Sequence, residues 1–339
     1  MRRDLGLGRV VKLASNEGPY GPFPSALEAI ARQAPELNRY PERGPELRQA
    51  LAERHGVDPS RVVIGNGADA LVGDLSLAYL DPGDEIVTGW PSFVSYRLDA
   101  IKHAGEPVLV HLRDGSCDLD AMLERIGERT RLVYVCNPNN PTGGIVRRDR
   151  LARFLDRLPI GVLAVLDHAY HEYVTDPGYP DAVAEFADRD NVAVLRTFSK
   201  IYGLAGLRIG YAVVPAETGV ALAKVGRPFA TSELAHAAAL ASLDQPAEVA
   251  RRRDLNAVGR AVIEQAFADA GVPTEPAFAN FVFARVGDAA GLVGRLEQEG
   301  IVIRPLASFG APDAVRVTVG TPEENLLFAD ALVRALQPA

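Results

Sequence analysis

The run Thr197-Phe198-Ser199-Lys200-Ile201-Tyr202-Gly203-Leu204-Ala205-Gly206-Leu207-Arg208-Ile209-Gly210 sets one lysine beside hydroxyl residues and an arginine eight positions later among glycines, directly after the apolar run 192–195. A lysine amine condenses with aldehydes, while Thr197, Ser199 and Arg208 together suit a phosphate dianion. The segment therefore has the parts needed to hold a phosphorylated aldehyde covalently. A Ser-Lys pair alone is common, and most lysines are solvated charges. The remaining segments decide between these readings.

Six short runs rich in β-branched residues, 62–64, 85–88, 132–136, 162–166, 192–195 and 209–214, read as buried parallel strands. Helical patterns at 68–79, 93–104 and 147–158 lie between them, which predicts an α/β sheet with helices on both faces. A long helical stretch, 247–270, is followed by strand 280–285, helix 289–299, strands 301–304 and 315–319, and helix 323–336. A chain of 339 residues exceeds the size at which one core stops growing. The pattern thus predicts a large domain over 31–245 and a smaller α+β domain over 246–339, with no internal repeat.

In open α/β sheets, ligands sit beyond the carboxyl ends of the strands. At the first such end, Gly65-Asn66-Gly67-Ala68-Asp69-Ala70 opens a helix and fits G-x-G-x-x-A, so a dinucleotide-binding Rossmann enzyme is one reading. That reading needs an acidic residue at the end of the next strand. Asp84 and Glu85 instead precede it, and it ends in Gly89-Trp90-Pro91. A glycine-rich helix start still binds phosphate through its free N–H groups and the helix dipole. Cys136-Asn137-Pro138-Asn139-Asn140-Pro141-Thr142-Gly143 is a polar, proline-stiffened turn after another strand, and Asp167-His168-Ala169-Tyr170 follows a third. His168, His171 and Glu172 are metal-ligand types, but no third cluster completes a site. Arg304 and Arg316 alternate with apolar residues, and a guanidinium so placed needs an anion to justify its burial.

Hydrophobic residues make up 47% and charged residues 24%, with a net charge of −8 and no long basic cluster, which argues against a nucleic-acid partner. Arg251-Arg252-Arg253, the densest basic run, reads as a solvated helix face after Pro246. Two cysteines, Cys117 and Cys136, without CxxC spacing suit a reducing cytoplasm. The start Met1-Arg2-Arg3-Asp4-Leu5-Gly6 leads into no signal-length apolar core, and no run reaches transmembrane length, so a soluble, unexported protein is expected.

Taken in order, these segments resemble the fold-type I aminotransferases of class I/II, which use pyridoxal 5'-phosphate (PLP), and within them most closely histidinol-phosphate aminotransferase. The resemblance spans residues 5–336. It implies a large domain with a mostly parallel central sheet flanked by helices, with residues 1–30 associated with the small domain. Lys200 would hold PLP covalently and act as general base and acid, its amine kept neutral by desolvation and Arg208. Asp167 would keep the pyridine nitrogen protonated, which makes the ring an electron acceptor. Asn140 and Tyr170 would bond the phenolic oxygen, and Phe93, where relatives often carry Tyr, would stack on the ring. Gly67, Ala68, Asp69, Thr197, Ser199 and Arg208 would hold the phosphate. Tyr40, in Asn38-Arg39-Tyr40-Pro41, would reach into the neighbouring subunit's site, to its PLP phosphate or its substrate. The entry segment Lys12-Leu13-Ala14-Ser15-Asn16-Glu17-Gly18-Pro19-Tyr20-Gly21-Pro22 would supply Asn16 and Tyr20 to the substrate, together with Tyr40, Asn140, Arg304 and Arg316. Relatives commonly have Asn at the position of Gly18, and Glu or Gln at that of His168.

The resemblance implies transfer of an amino group from L-histidinol phosphate to 2-oxoglutarate, giving imidazole-acetol phosphate and L-glutamate, a step of histidine biosynthesis. Alternatives are an aromatic amino-acid aminotransferase, another PLP enzyme acting on a phosphorylated amine, such as a decarboxylase, and a non-enzymatic PLP-binding regulator. A cytoplasmic homodimer with shared active sites is expected, with no metal, membrane or nucleic-acid partner. Relatives generally carry a further N-terminal stretch before the segment matching 5–14, so part of the dimer contact is expected to be missing.

Overall fold

The computed structural model describes residues 9–336. The expectations for the basic start Met1 to Gly6 and for the beginning of the family match at Leu5 lie outside the described residues. The strands are β1 (Val11–Leu13), β2 (Val62–Gly65), β3 (Glu85–Trp90), β4 (Glu106–His111), β5 (Thr130–Cys136), β6 (Leu163–Asp167), β7 (Val192–Thr197), β8 (Gly210–Val213), β9 (Phe281–Arg285), β10 (Ile301–Pro305) and β11 (Ala314–Thr318). They form a seven-stranded sheet, order β2-β8-β7-β6-β5-β3-β4, and a four-stranded sheet, order β1-β10-β11-β9.

Strands β6 and β7 are buried along their whole length because helices cover both faces of the large sheet. Along β5, Val133 and Val135 enter one core, with Phe154 and Phe198, while Leu132, Tyr134 and Cys136 enter the other, with Leu71 and Tyr96. That is the two-residue alternation of a strand with apolar layers on each side.

One strand direction differs from the sequence reading. β8 runs antiparallel to both β7 and β2. Between β7 and β8 there is only a looped 3₁₀ turn, Ala205–Leu207, closed by Phe198 N–H donating to the Ile209 carbonyl at 3.1 Å. A parallel return is usually made by a crossover helix, and the twelve residues 198–209 hold only this 3₁₀ turn, folded back on itself. β4 went unread because it is an edge strand with exposed ends and Pro107 inside it.

The helix Pro246–Asp269 is 24 residues, or about 36 Å, long. It carries Ile263 and Phe267 into the small-sheet core. Near its start Arg252 is buried, against the solvated-face reading. Its guanidinium donates to the Ile201 carbonyl at 3.0 Å and the Gly21 carbonyl at 2.8 Å, and pairs with Glu248 at 2.9 Å. Only Arg251 of the triplet has the exposed placement expected of all three. β1 joins the small sheet beside β10, whereas helix Pro24–Gln33 puts Ala26 into the large-sheet core. No helix of the described residues is long and apolar enough to cross a membrane.

Candidate active site

The carboxyl ends of β5, β6 and β7 lie side by side, with Cys136 opposite Asp167 and Asp167 opposite Leu195. A cleft of about 300 Å³ opens there, walled on the far side by residues 14–16 and by Arg304, Phe309 and Arg316. Of the expected site residues, Asn16, Ala68, Asp69, Phe93, Asn140, Asp167, Tyr170, Thr197, Ser199, Lys200, Arg208, Arg304 and Arg316 line it.

Lys200 stands three residues past β7 and opens the turn closed by the Gly203 N–H donating to its carbonyl at 3.0 Å, with its Nζ 5.5 Å from the centre of the Tyr170 ring. Burial, then the cations of Arg316 and Arg208, bring its pKa down to about 8. The amine is therefore largely neutral at mildly alkaline pH, where an ordinary lysine is charged. Arg208 sits in left-handed backbone at φ 53°, and its Nη1 donates to Ser199 Oγ at 3.4 Å. It packs on the helix start at Gly67, itself at φ +76°, where a Cβ would stand 2.6 Å from Arg208 Nη2. Gly67 thus lets the guanidinium, the Ser199 hydroxyl and the N-terminus of helix Gly67–Tyr79 converge on one anion-sized place.

Asp167 is buried and takes two hydrogen bonds from neutral donors, Tyr96 Oη at 2.5 Å and the Ala169 N–H at 3.1 Å. Burial raises its pKa, and the Tyr96 bond opposes the rise. Tyr170 accepts from Asn16 Nδ2 at 2.9 Å, leaving its own proton for an acceptor in the cleft; burial raises its pKa, so it remains a donor. Asn16 is set by Thr318, whose hydroxyl accepts from its N–H at 2.9 Å. The three asparagines of the turn after β5 divide their work. Asn137 and Asn139 bond within the turn and to Ser92, whereas Asn140 accepts from Arg316 and keeps its amide N–H groups for the cleft.

Arg316 is buried, donates to the Ala14 carbonyl at 2.9 Å, lies 5.3 Å from the Phe281 ring, and has an unpartnered Nε. Burial lowers its pKa to about 10, still a cation at neutral pH. Arg304 stands directly opposite it across the β10–β11 ladder but is exposed, against the burial expected of both arginines, because it lies near the open end of β10.

Two expected residues are elsewhere. Tyr20 lies outside the cleft, its ring 5.3 Å from the Arg251 guanidinium. Tyr40 is 80% exposed and stacks on Phe229 with ring centres 4.6 Å apart, away from the cleft of its own chain. His168, beside Asp167, turns away instead: it is buried against the Tyr179 hydroxyl at 3.1 Å and held neutral by burial. Sequence reasoning missed Tyr96 and Phe309. Tyr96 follows Phe93, the residue that precedes helix Val94–Lys102, by three positions; that spacing marks it as a neighbour of Phe93 but carries no sign of its bond to Asp167.

The donor set fits PLP: an amine for the aldehyde, the Gly67–Arg208 cradle for the phosphate, a buried carboxylate without a cationic hydrogen-bond partner for the ring nitrogen, and Tyr170 and Asn140 for the phenolic oxygen. The chain matches the family "Aminotransferase class I and II" over residues 8–332. It is 45% identical over 323 residues to an aromatic amino acid aminotransferase of Thermobifida fusca, covering 95% of this chain and 89% of that one. It is 42% identical over 335 residues to a histidinol-phosphate aminotransferase of Moorella thermoacetica, covering 98% and 87%. The histidinol-phosphate aminotransferase of Sinorhizobium meliloti, solved in complex with pyridoxal-5'-phosphate, superposes with a TM-score of 0.92 at 32% identity over 99% of this chain and 93% of that one. With cleft, donor set and relatives in agreement along its whole described length, this chain belongs to the class I and II aminotransferases of PLP fold type I.

Proposed function

We propose that this PLP-dependent aminotransferase takes its amino group from L-histidinol phosphate and passes it to 2-oxoglutarate, a step of histidine biosynthesis. The observation that carries the proposal is the pair Arg304 and Arg316, cross-strand neighbours on one wall of the cleft. Two guanidinium groups suit a phosphate dianion and still serve the carboxylate of glutamate. The names of several relatives support the same choice.

PLP, when bound, supplies the reactive aldehyde and a ring that withdraws electrons from the donor's Cα. Lys200 Nζ takes the proton from that carbon, for which its depressed pKa suits it. Asp167 holds a proton on the ring nitrogen, Arg208 and Ser199 bind the phosphate, and Arg316 fixes the donor's anionic group against Asn140.

A second reading, an aromatic amino acid as donor, is favoured by the apolar residues Phe93, Val94 and Phe309 along the cleft and by relatives named for that activity. Comparing histidinol phosphate with phenylalanine and tyrosine in the donor half-reaction tests the choice. Histidinol phosphate is expected to give the higher kcat/KM, and the reverse ranking favours the aromatic reading. Arg316→Ala is expected to raise KM for both histidinol phosphate and 2-oxoglutarate by about a hundredfold, the loss of one charge-assisted pair. An effect on only one of them would show that the two anions do not share this cation.

We further infer a cytoplasmic homodimer whose sites are shared. The outward face of Tyr40 supports this, since its aromatic pair with Phe229 lies open on the single chain. Mixing Lys200→Ala with Tyr40→Ala subunits is expected to restore up to about a quarter of the native sites under random exchange. Failure to regain activity after confirmed exchange of two inactive variants would exclude sharing through Tyr40. Two buried, unpaired cysteines support the reducing compartment.

A further inference from the structure

Asp167 sits in an awkward place for a group that must stay charged. It is 5% exposed, and burial favours its neutral form. The groups facing it are few. Lys200 acts on it from the turn after β7 and favours the anion, Asp69 acts from the helix start and disfavours it, and the Cys136 thiol lies opposite on β5, kept protonated by burial. None is a short-range cationic partner. What does touch the carboxylate is the hydroxyl of Tyr96, 2.5 Å from Oδ2.

We propose that Tyr96 is a positioning residue for the transamination, whose hydroxyl, locked by a buried aromatic stack, fixes the Asp167 carboxylate as an anion aimed into the cleft. Three observations support it. Tyr96 is fully buried, so no water competes for its proton. Its ring lies 4.5 Å from that of Tyr134 at an interplanar angle of 11°, and the Phe93 ring meets it edge-on at 5.6 Å, so the hydroxyl has little freedom to turn elsewhere. Burial and the neighbouring Asp167 charge also keep the phenol protonated, so it donates throughout the working pH range.

The two donors divide the carboxylate between them, Tyr96 on Oδ2 and the Ala169 N–H on Oδ1. That sets the plane of the group and leaves the remaining lone pairs for a donor in the cleft. A hydrogen bond to a carboxylate stabilises its charged form. Tyr96 therefore favours a proton on the ring nitrogen facing Asp167 over a proton on Asp167 itself. It also links two residues of the cleft lining, since Phe93 leans on the ring whose hydroxyl holds the Asp167 carboxylate.

The proposal rests on the transamination chemistry and not on the choice of donor. Its test is Tyr96→Phe, which keeps the ring stack and removes one hydroxyl. Tyr134→Phe is the control: it deletes an equally buried hydroxyl, 3.5 Å from the Val72 carbonyl, that does not touch Asp167. In the apoprotein, carbon NMR of ¹³C-labelled aspartate, assigned with Asp167→Asn, is expected to show Asp167 titrating at higher pH in Tyr96→Phe and unchanged in Tyr134→Phe. In the PLP-loaded enzyme, Tyr96→Phe is expected to lower kcat by about ten- to a hundredfold with little change in KM. An unchanged Asp167 titration together with wild-type kcat in Tyr96→Phe overturns the proposal. So does an equal loss in both variants, which would mark the hydroxyl as a packing group. Because the apoprotein titration needs no substrate, it stands even if histidinol phosphate proves to be the wrong donor.

Discussion

Lys200→Ala is expected to abolish the visible absorbance of the lysine-bound cofactor and to lower turnover by at least about ten-thousandfold, because covalent attachment and proton transfer depend on one amine. Among the described residues no other lysine lines the cleft. Absorbance of the reconstituted variant and multiple-turnover assays check it, and full activity would remove Lys200 from the mechanism. The native apoprotein offers a companion measurement. With the amine's pKa brought down to about 8, its labelling by an electrophile should rise tenfold per pH unit and level off near pH 8, where an exposed lysine would continue to climb. A plateau near the ordinary lysine value would show that burial and the two arginines do not tune it.

The next largest effect is expected from Asp167→Asn, about a thousandfold in kcat, with the fold and PLP binding kept. Asparagine preserves the shape and still accepts from Tyr96, but it cannot hold a proton on the ring nitrogen by charge. The same substitution should stabilise the apoprotein at neutral pH. Because the folded-state pKa of Asp167 is raised, its neutral form is favoured by folding, and that contribution is lost as pH climbs from the ordinary carboxylate range through the raised value. Asparagine has no such loss. A near-native rate in Asp167→Asn would show that the electron-sink role belongs elsewhere, and thermal melts across pH check the stability half.

The cleft residues legible in the sequence share one property. Asn140, Asp167 and Lys200 each sit just at or past the end of an apolar strand, and strand ends of one sheet edge are neighbours by topology. Short motifs therefore report a long-range arrangement without any knowledge of the packing. Tyr96 was illegible because its partner stands 71 positions away and the bond depends on how a helix leans on β6. Arg252 looked like one charge in a basic run, and only the carbonyls of Gly21 and Ile201, from two distant segments, reveal that it is interior. The reversed direction of β8 left no mark either, since a strand covered on both faces has the same apolar composition read either way. Tyr20 and Tyr40 came from resemblance, and the fold of a single chain does not bring either into its own cleft.

The order in which the chain is made bears on this site through the segment 14–16. Asn16 is set by Thr318, and the Ala14 carbonyl receives Arg316, contacts spanning 302 residues in each case. A growing polypeptide can pair β5, β6 and β7 and close the turn at Lys200 long before those partners leave the ribosome. Until they do, the wall of the cleft facing the lysine is open to water and the entry segment has nowhere to dock. The late strand β11 is thus the closing stitch of the active site. Contacts that span so much chain form slowly for reasons of entropy, so the cleft cannot be complete before β11 has emerged.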